Sequence, residues 1–194
     1  QRLQEGGVDQ VRSLHRHGGI VETILEREAD ARVVVIGKRG AGHEFASDHI
    51  GSKIERVVRA SDRPILIASR AVSEPGAIVF AFDASKSANR ALERLVNSPL
   101  FTGLPVHIVM ADSENAVHRQ ALDDAAGQLR DSHEVRTTLR QGKPETVIAD
   151  IVDQTPGAML MMGAYGHSPL RTLIVGSTTT AMIRTVHVPV LLVR

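Results

Sequence analysis

Gly163-Ala164-Tyr165-Gly166, nine further residues, and then Gly176-Ser177-Thr178-Thr179 lie between two apolar runs. The first run, Ala158 to Met162, reads as a buried parallel strand, and the second, Val188 to Val193, as another. Ser177, Thr178 and Thr179, followed by Ala181-Met182-Ile183-Arg184, read as a helix start whose unpaired N–H groups face the glycines. Such an arrangement suits an anion. Glycine lets backbone N–H groups approach with no Cβ in the way, and a helix N-terminus adds about half a unit of positive charge.

Working outward, the chain repeats itself. Laying residues 37–69 over 163–194 with one gap brings Gly37 onto Gly163, Gly40 onto Gly166 and Gly51-Ser52 onto Gly176-Ser177. Arg59 then falls on Arg184 and Pro64 on Pro189, and both copies end in an apolar strand, Ile65–Ala68 and Val190–Val193. Upstream, Val11-Arg12 falls on Val135-Arg136 and Gly18 on Gly142.

The second copy opens with a strand from Ala77 and a helix from Ser85 to Val96 that sets Ala88, Ala91, Leu92 and Leu95 on one face. A strand at Val106–Ala111, a helix over Glu114–Asp131, a third strand at Glu134–Leu139 and a helix over Pro144–Gln154 follow. Alternating strands and helices with short connections predict an α/β protein with a parallel sheet covered on both faces. The first copy begins only at its third strand, Val8–Leu14, and the chain starts with Gln rather than Met. We expect an N-terminal portion ahead of it, because in a doubly wound sheet the first two strands lie between the third and the fourth.

The signature Gly163-x2-Gly166-x9-Gly176-Ser177 resembles the universal stress protein family, whose nucleotide-binding members carry G-x2-G-x9-G-S/T at this strand-to-helix crossing. The resemblance spans Gly76 to the C-terminus as a complete domain and Val11 to Ser69 as the latter part of a second. It implies a doubly wound parallel five-stranded sheet of order 3-2-1-4-5, adenine nucleotide alpha hydrolase-like. The domain division is then a partial copy over 1–70, a linker over 71–76 and a complete copy over 77–194.

Ligands of such sheets bind beyond the carboxyl ends of the strands, where Asp83, Ala111, Met162 and Gly163 fall. The resemblance implies that Asp83 and the backbone near Ala111 meet the base and ribose of ATP. Gly163, Tyr165, Gly166, Gly176, Ser177, Thr178 and Thr179 would surround its phosphates, with or without Mg²⁺. Tyr165 stands where many members of the family have histidine. On chemistry alone other roles stay open: Asp83 as a turn or capping residue, the glycines as tight-turn residues, and Ser177 to Thr179 as caps. The first copy has ten residues rather than nine between Gly40 and Gly51 and no counterpart of Asp83, so it is expected to be empty, although Lys38, Arg39 and Lys53 add positive charge.

Three functions compete. An ATP-binding regulatory module of the stress response is favoured, with a nucleotide-free dimerisation protein and a slow ATPase or self-phosphorylating enzyme behind it. Enzymatic turnover has little support: no Walker lysine follows the glycines, position 165 is not histidine, and no second carboxylate is evident beside the glycines to hold Mg²⁺. No catalytic residue and no metal site is assigned. His49-Ile50-Gly51-Ser52 lacks the second histidine of nucleotidylyl transferases, and His15 and His17 have no evident third ligand.

Composition narrows the field further. Of 194 residues, 42% are apolar, which supports a buried core, while 23 Lys+Arg against 22 Asp+Glu give a net charge of +1 and no field to recruit a polyanion. With aromatics at 3%, stacking platforms are few, so no nucleic-acid partner is expected. The absence of cysteine excludes disulfides and thiolate chemistry, and no apolar run approaches membrane-spanning length, from which a cytoplasmic protein is expected. Self-association is expected through the last strand of each copy, since the family pairs by it and an apolar edge strand invites pairing.

Overall fold

The computed structural model describes residues 7–38, 50–69, 74–164 and 177–194. In chain order the elements are α1 (Ile20–Arg27), β1 (Val34–Gly37), α2 (Ile50–Ala60), β2 (Ile65–Ala68), β3 (Ala77–Ala81), α3 (Lys86–Asn97) and β4 (Val106–Met110). After them come α4 (Ala116–Gly127), β5 (Val135–Leu139), α5 (Pro144–Asp153), β6 (Ala158–Gly163), α6 (Ser177–Thr185) and β7 (Val190–Val193). Short side-chain caps define two of the helix starts. The Ser85 hydroxyl accepts the Ala88 N–H at 3.2 Å, and the Asn115 amide oxygen accepts that of His118 at 2.9 Å. The second cap starts α4 at Ala116, two residues later than the pattern suggests.

The strands form one sheet in the order β1-β2-β7-β6-β3-β4-β5. From β5 to β7 every pairing is parallel, and numbered within their own copy these five strands read 3-2-1-4-5. The expectation of a five-stranded, wholly parallel sheet needs correction at one seam. Strand β2 adds to β7 antiparallel, with Ile65 opposite Leu192, Leu66 opposite Leu191 and Ile67 opposite Val190, so the sheet has seven strands and is mixed. Pairing there removes the open apolar edge that each strand would otherwise present.

Either side of this seam the backbone repeats its hydrogen bonds. Val34 N–H donates to Pro64 O and Leu160 N–H to Pro189 O, both at 2.9 Å; Lys38 N–H donates to Ala68 O and Ala164 N–H to Val193 O. Each helix that follows closes alike, Ser61 N–H on Val57 O and Val186 N–H on Met182 O. The registers are those of the sequence repeat, so β1-α2-β2 and β6-α6-β7 are two copies of one unit.

Two cores sandwich the sheet. On one face Ile54, Val57 and Val58 of α2, Val147, Ile148, Ile151 and Val152 of α5, Met182 and Ile183 of α6, and Val186 just beyond it cover Ile65, Ile67, Val79, Leu160 and Leu192. On the other, Ala88, Ala91, Leu92 and Leu95 of α3 and Leu122, Ala125 and Ala126 of α4 cover Ile78, Phe80, Ile108, Met161 and Leu191.

The expected third strand of the first copy, Val8–Leu14, is not a strand. It runs irregularly, with Val8, Val11 and Leu14 exposed by 42%, 38% and 58%. Its apolar residues recur every third position rather than alternating, and the second strand it would pair with has no counterpart among the described residues.

Candidate functional site

Strands β3 and β6 lie side by side in parallel, Ala81 opposite Met162, yet the chain leaves them in opposite directions. After β3 it continues to β4 on one side, and after β6 to β7 on the other. This is the topological switch point of the sheet, the place beyond the strand ends where open α/β sheets bind ligands.

The loop after β3 builds one wall. Phe82 is buried and its N–H donates to Val109 O at 2.9 Å, which carries β3 one residue past its last pair and puts Asp83 at the rim, exposed. Asp83 Oδ1 accepts the Ser85 N–H at 3.0 Å, and among the described residues Oδ2 accepts nothing. Asp83 therefore shapes the turn, while Ser85 is the helix cap. Between them Ala84 has φ +55°, a left-handed conformation that costs a residue with a Cβ about 1–2 kcal/mol. The Asn89 side chain holds it there by donating to both Ala84 O and Ser85 O at 3.0 Å.

Gly163, half-buried at the end of β6, has a packing role that the sequence pattern does not reveal. A Cβ there would stand 2.6 Å from Ala88 N and from Ser87 C, and 2.8 Å from Ser87 Oγ. The glycine lets the first turn of α3 sit directly on the strand end. The helix N-terminus is thereby brought to the switch point, along with the Asp83 turn. Met162 beside it is buried, as is Ala164, whose N–H reaches Val193 O at 2.7 Å.

Strand β4 supplies the neighbouring rim. Ala111 is half-buried, and Asp112 follows it into solvent. Asp112 Oδ1 accepts the Ser113 N–H at 2.7 Å and lies 3.7 Å from His118 Nδ1, which also contacts Ser113 O at 2.8 Å. With Val109 opposite Ala81, the parallel strands β3 and β4 both end in an exposed aspartate. Asp112 is a carboxylate at the strand ends that the sequence pattern does not single out. Among the described residues no cluster of three metal-ligating side chains occurs.

Helix α6 begins at Ser177. Thr178 is half-buried, Thr179 is buried, and the Thr180 hydroxyl, not singled out by the sequence, is buried without a hydrogen-bond partner among the described residues. Tyr165, Gly166 and Gly176 lie outside the described residues, as do Gly40 and Arg39 of the first copy. Lys38 is committed elsewhere: its Nζ donates to Val186 O at 2.7 Å and Arg184 O at 3.4 Å, at the carboxyl end of α6. That contact ties the two copies together and compensates the negative end of the helix.

Residues 76–194 match the family model described as the universal stress protein family. The chain belongs to the universal stress protein family. It is 30% identical over 195 residues to universal stress protein Slr1230 of Synechocystis, covering 99% of this chain and 68% of that protein. Among solved structures it is similar to a universal stress protein from Archaeoglobus fulgidus, with a TM-score of 0.71 and 26% identity over 90% of this chain. The chain spans 64% of the length of that structure. A universal stress protein solved in complex with cAMP shares the fold, with a TM-score of 0.53 and 21% identity over 63% of this chain and 98% of that one. As a universal stress protein fold the chain has its switch point between β3 and β6, and no described helix is long and apolar enough to cross a membrane.

Proposed function

We propose that this universal stress protein binds an adenine nucleotide, ATP with or without Mg²⁺, in the crevice between β3 and β6, and acts as a nucleotide-dependent regulatory module of the stress response. The observation that carries the reading is the pairing of Ala81 with Met162 at the switch point, which sets the Asp83 turn beside Gly163 and the first turn of α3. The complex of a related universal stress protein with cAMP supports an adenine nucleotide as the class of ligand.

The described residues fit such a ligand. Asp83 Oδ2 has no partner among them and accepts from a ribose hydroxyl or a base amino group. The Thr180 hydroxyl, one turn into α6, is buried with no hydrogen-bond partner among the described residues. Asp112, on the adjacent strand end, offers a second carboxylate to a ribose or to hydrated Mg²⁺. In this reading Tyr165, Gly166, Gly176, Ser177, Thr178 and Thr179 cradle the phosphates, while Ala111 and Met162 contribute strand-end backbone. In this reading the chain is a tandem protein, 1–70 and 77–194 joined over 71–76.

Isothermal titration calorimetry with ATP tests the proposal. Asp83→Ala is expected to weaken binding by about 1–3 kcal/mol, the cost of leaving ligand donors unpaired. Gly166→Val is expected to abolish binding while thermal unfolding stays normal. Unchanged affinity in both variants would sink the assignment. Loss of stability without loss of affinity in Asp83→Ala would leave that residue a turn former alone.

A further inference from the structure

Helix α6 is closed at its carboxyl end by the other copy. Lys38 N–H donates to Ala68 O as Ala164 N–H donates to Val193 O, so Lys38 stands in the first copy where Ala164 stands in the second, one residue past a strand-end glycine. Its place in the sequence suggests a cation for the first copy's own glycine turn. The structure sends it across the β2–β7 seam instead. Because β2 and β7 are antiparallel, the carboxyl end of β1 lies at the end of the sheet where α6 terminates. There Lys38 Nζ donates to Val186 O at 2.7 Å and to Arg184 O at 3.4 Å. The Arg184 guanidinium in turn lies 3.9 Å from the largely buried carboxylate of Glu55 on α2. In the opposite sense Arg194, the residue after β7, donates from Nη1 to Arg59 O at the carboxyl end of α2. Each copy supplies a cation that closes the other's helix.

The two ends of α6 are close enough to act on one another. Its nine residues make a rod of about 14 Å, with Met182 and Ile183 buried on the sheet. A rod this short, seated through one turn and fixed at one end, has little freedom left at the other. That other end is Ser177 to Thr179, the part of the helix assigned above to the phosphates. Charge works in the same direction: the ammonium offsets the negative pole at the carboxyl end of α6 and leaves the positive pole at the amino end as the one an anion meets.

We propose that Lys38 is a positioning residue for the nucleotide of the second copy: from outside the crevice it fixes the placement and the field of α6, and so strengthens binding of the phosphates without touching them. The inference rests on the nucleotide reading of the crevice between β3 and β6. It makes the first copy, expected to bind nothing itself, a working part of the second copy's site. Since the phosphates are the part of the ligand that meets α6, the effect of Lys38 falls on ATP and spares the nucleoside.

Calorimetry with ATP, and with adenosine by displacement of ATP, tests the proposal on the full chain. Lys38→Met is expected to weaken ATP binding about three- to tenfold and to leave adenosine within about twofold, the scale of helix-pole compensation with one charge-assisted hydrogen bond. Lys38→Arg keeps both charge and donor and is expected to bind ATP within about twofold of the wild type. Lys38→Gln keeps a donor without the charge and is expected to fall between the two; it replaces Lys38→Met if that variant does not fold. Wild-type ATP affinity in the uncharged variants, or equal losses for ATP and adenosine as general loosening would give, would overturn the proposal. A wild-type protein that binds no ATP would remove the nucleotide reading, and this inference with it.

Discussion

Gly163→Ala adds one methyl group where the structure leaves no room. The new Cβ would lie 2.6 Å from two backbone atoms, Ala88 N and Ser87 C, so no side-chain rotation relieves the contact and the first turn of α3 must move. Overpacking of this kind costs about 1–3 kcal/mol, and contact with helix backbone on two sides argues for the upper part of that range. Replacing glycine by alanine at a compatible backbone position returns about 0.4–1 kcal/mol through the unfolded state. The net is a destabilisation of about 1–2 kcal/mol, or about 2–8 °C in melting temperature for a chain of this size. Differential scanning calorimetry of the nucleotide-free protein reads it. Because the clash is with the protein itself, the loss must be present without ligand. A Gly163→Ala protein melting within a degree of the wild type would refute the packing role and leave the glycine to a ligand alone.

Two further perturbations test the seam and the outer strands. Leu191→Lys places a charge at a position 5% exposed, opposite Leu66 and Met161, and is expected to destabilise by at least about 3 kcal/mol in urea unfolding; less than about 1 kcal/mol would mean the β2–β7 pairing does not bury it. His107, hydrogen-bonded to Thr138 Oγ1 at 2.8 Å, has its imidazole held below its ordinary value first by burial and then by the Arg136 guanidinium. The unfolded chain therefore takes up this proton at higher pH than the fold does, so the contribution to stability is whole above about pH 6.5 and declines as pH falls below it. Denaturation of wild type and His107→Gln at pH 7.5 and 5.5 checks the sign: the variant is expected to lose less stability on acidification, and an equal loss would count against it.

Much of this architecture is legible in the chain because it rests on local signals that agree with one another. Continuous apolar runs mark β6 and β7, Ser85 announces α3, and the matched glycines and prolines of residues 37–69 and 163–194 foretell strand pairs with identical hydrogen bonds. Val8–Leu14 misleads because its apolar residues, three apart, give a strand no single buried face, and a strand exists only through its neighbour. Gly163 shows a different limit. Its spacing from Gly166 and Gly176 invites a ligand, yet the atoms nearest its missing Cβ belong to α3, some 75 residues earlier in the chain. Asp112 was passed over because its relation to Asp83 appears only when β3 and β4 are laid in register. The strained turn at Ala84 has no signature in composition at all, since alanine is not a residue that announces a positive φ.

The central claim is that the crevice between β3 and β6 holds an adenine nucleotide. Mass spectrometry of the small molecules released by acid from the purified, extensively dialysed protein tests it most directly. The account predicts an adenine nucleotide near one equivalent per chain after incubation with ATP, lost in Gly166→Val. A wild-type protein that retains none under these conditions, and gives no heat with ATP at millimolar concentration, would contradict it.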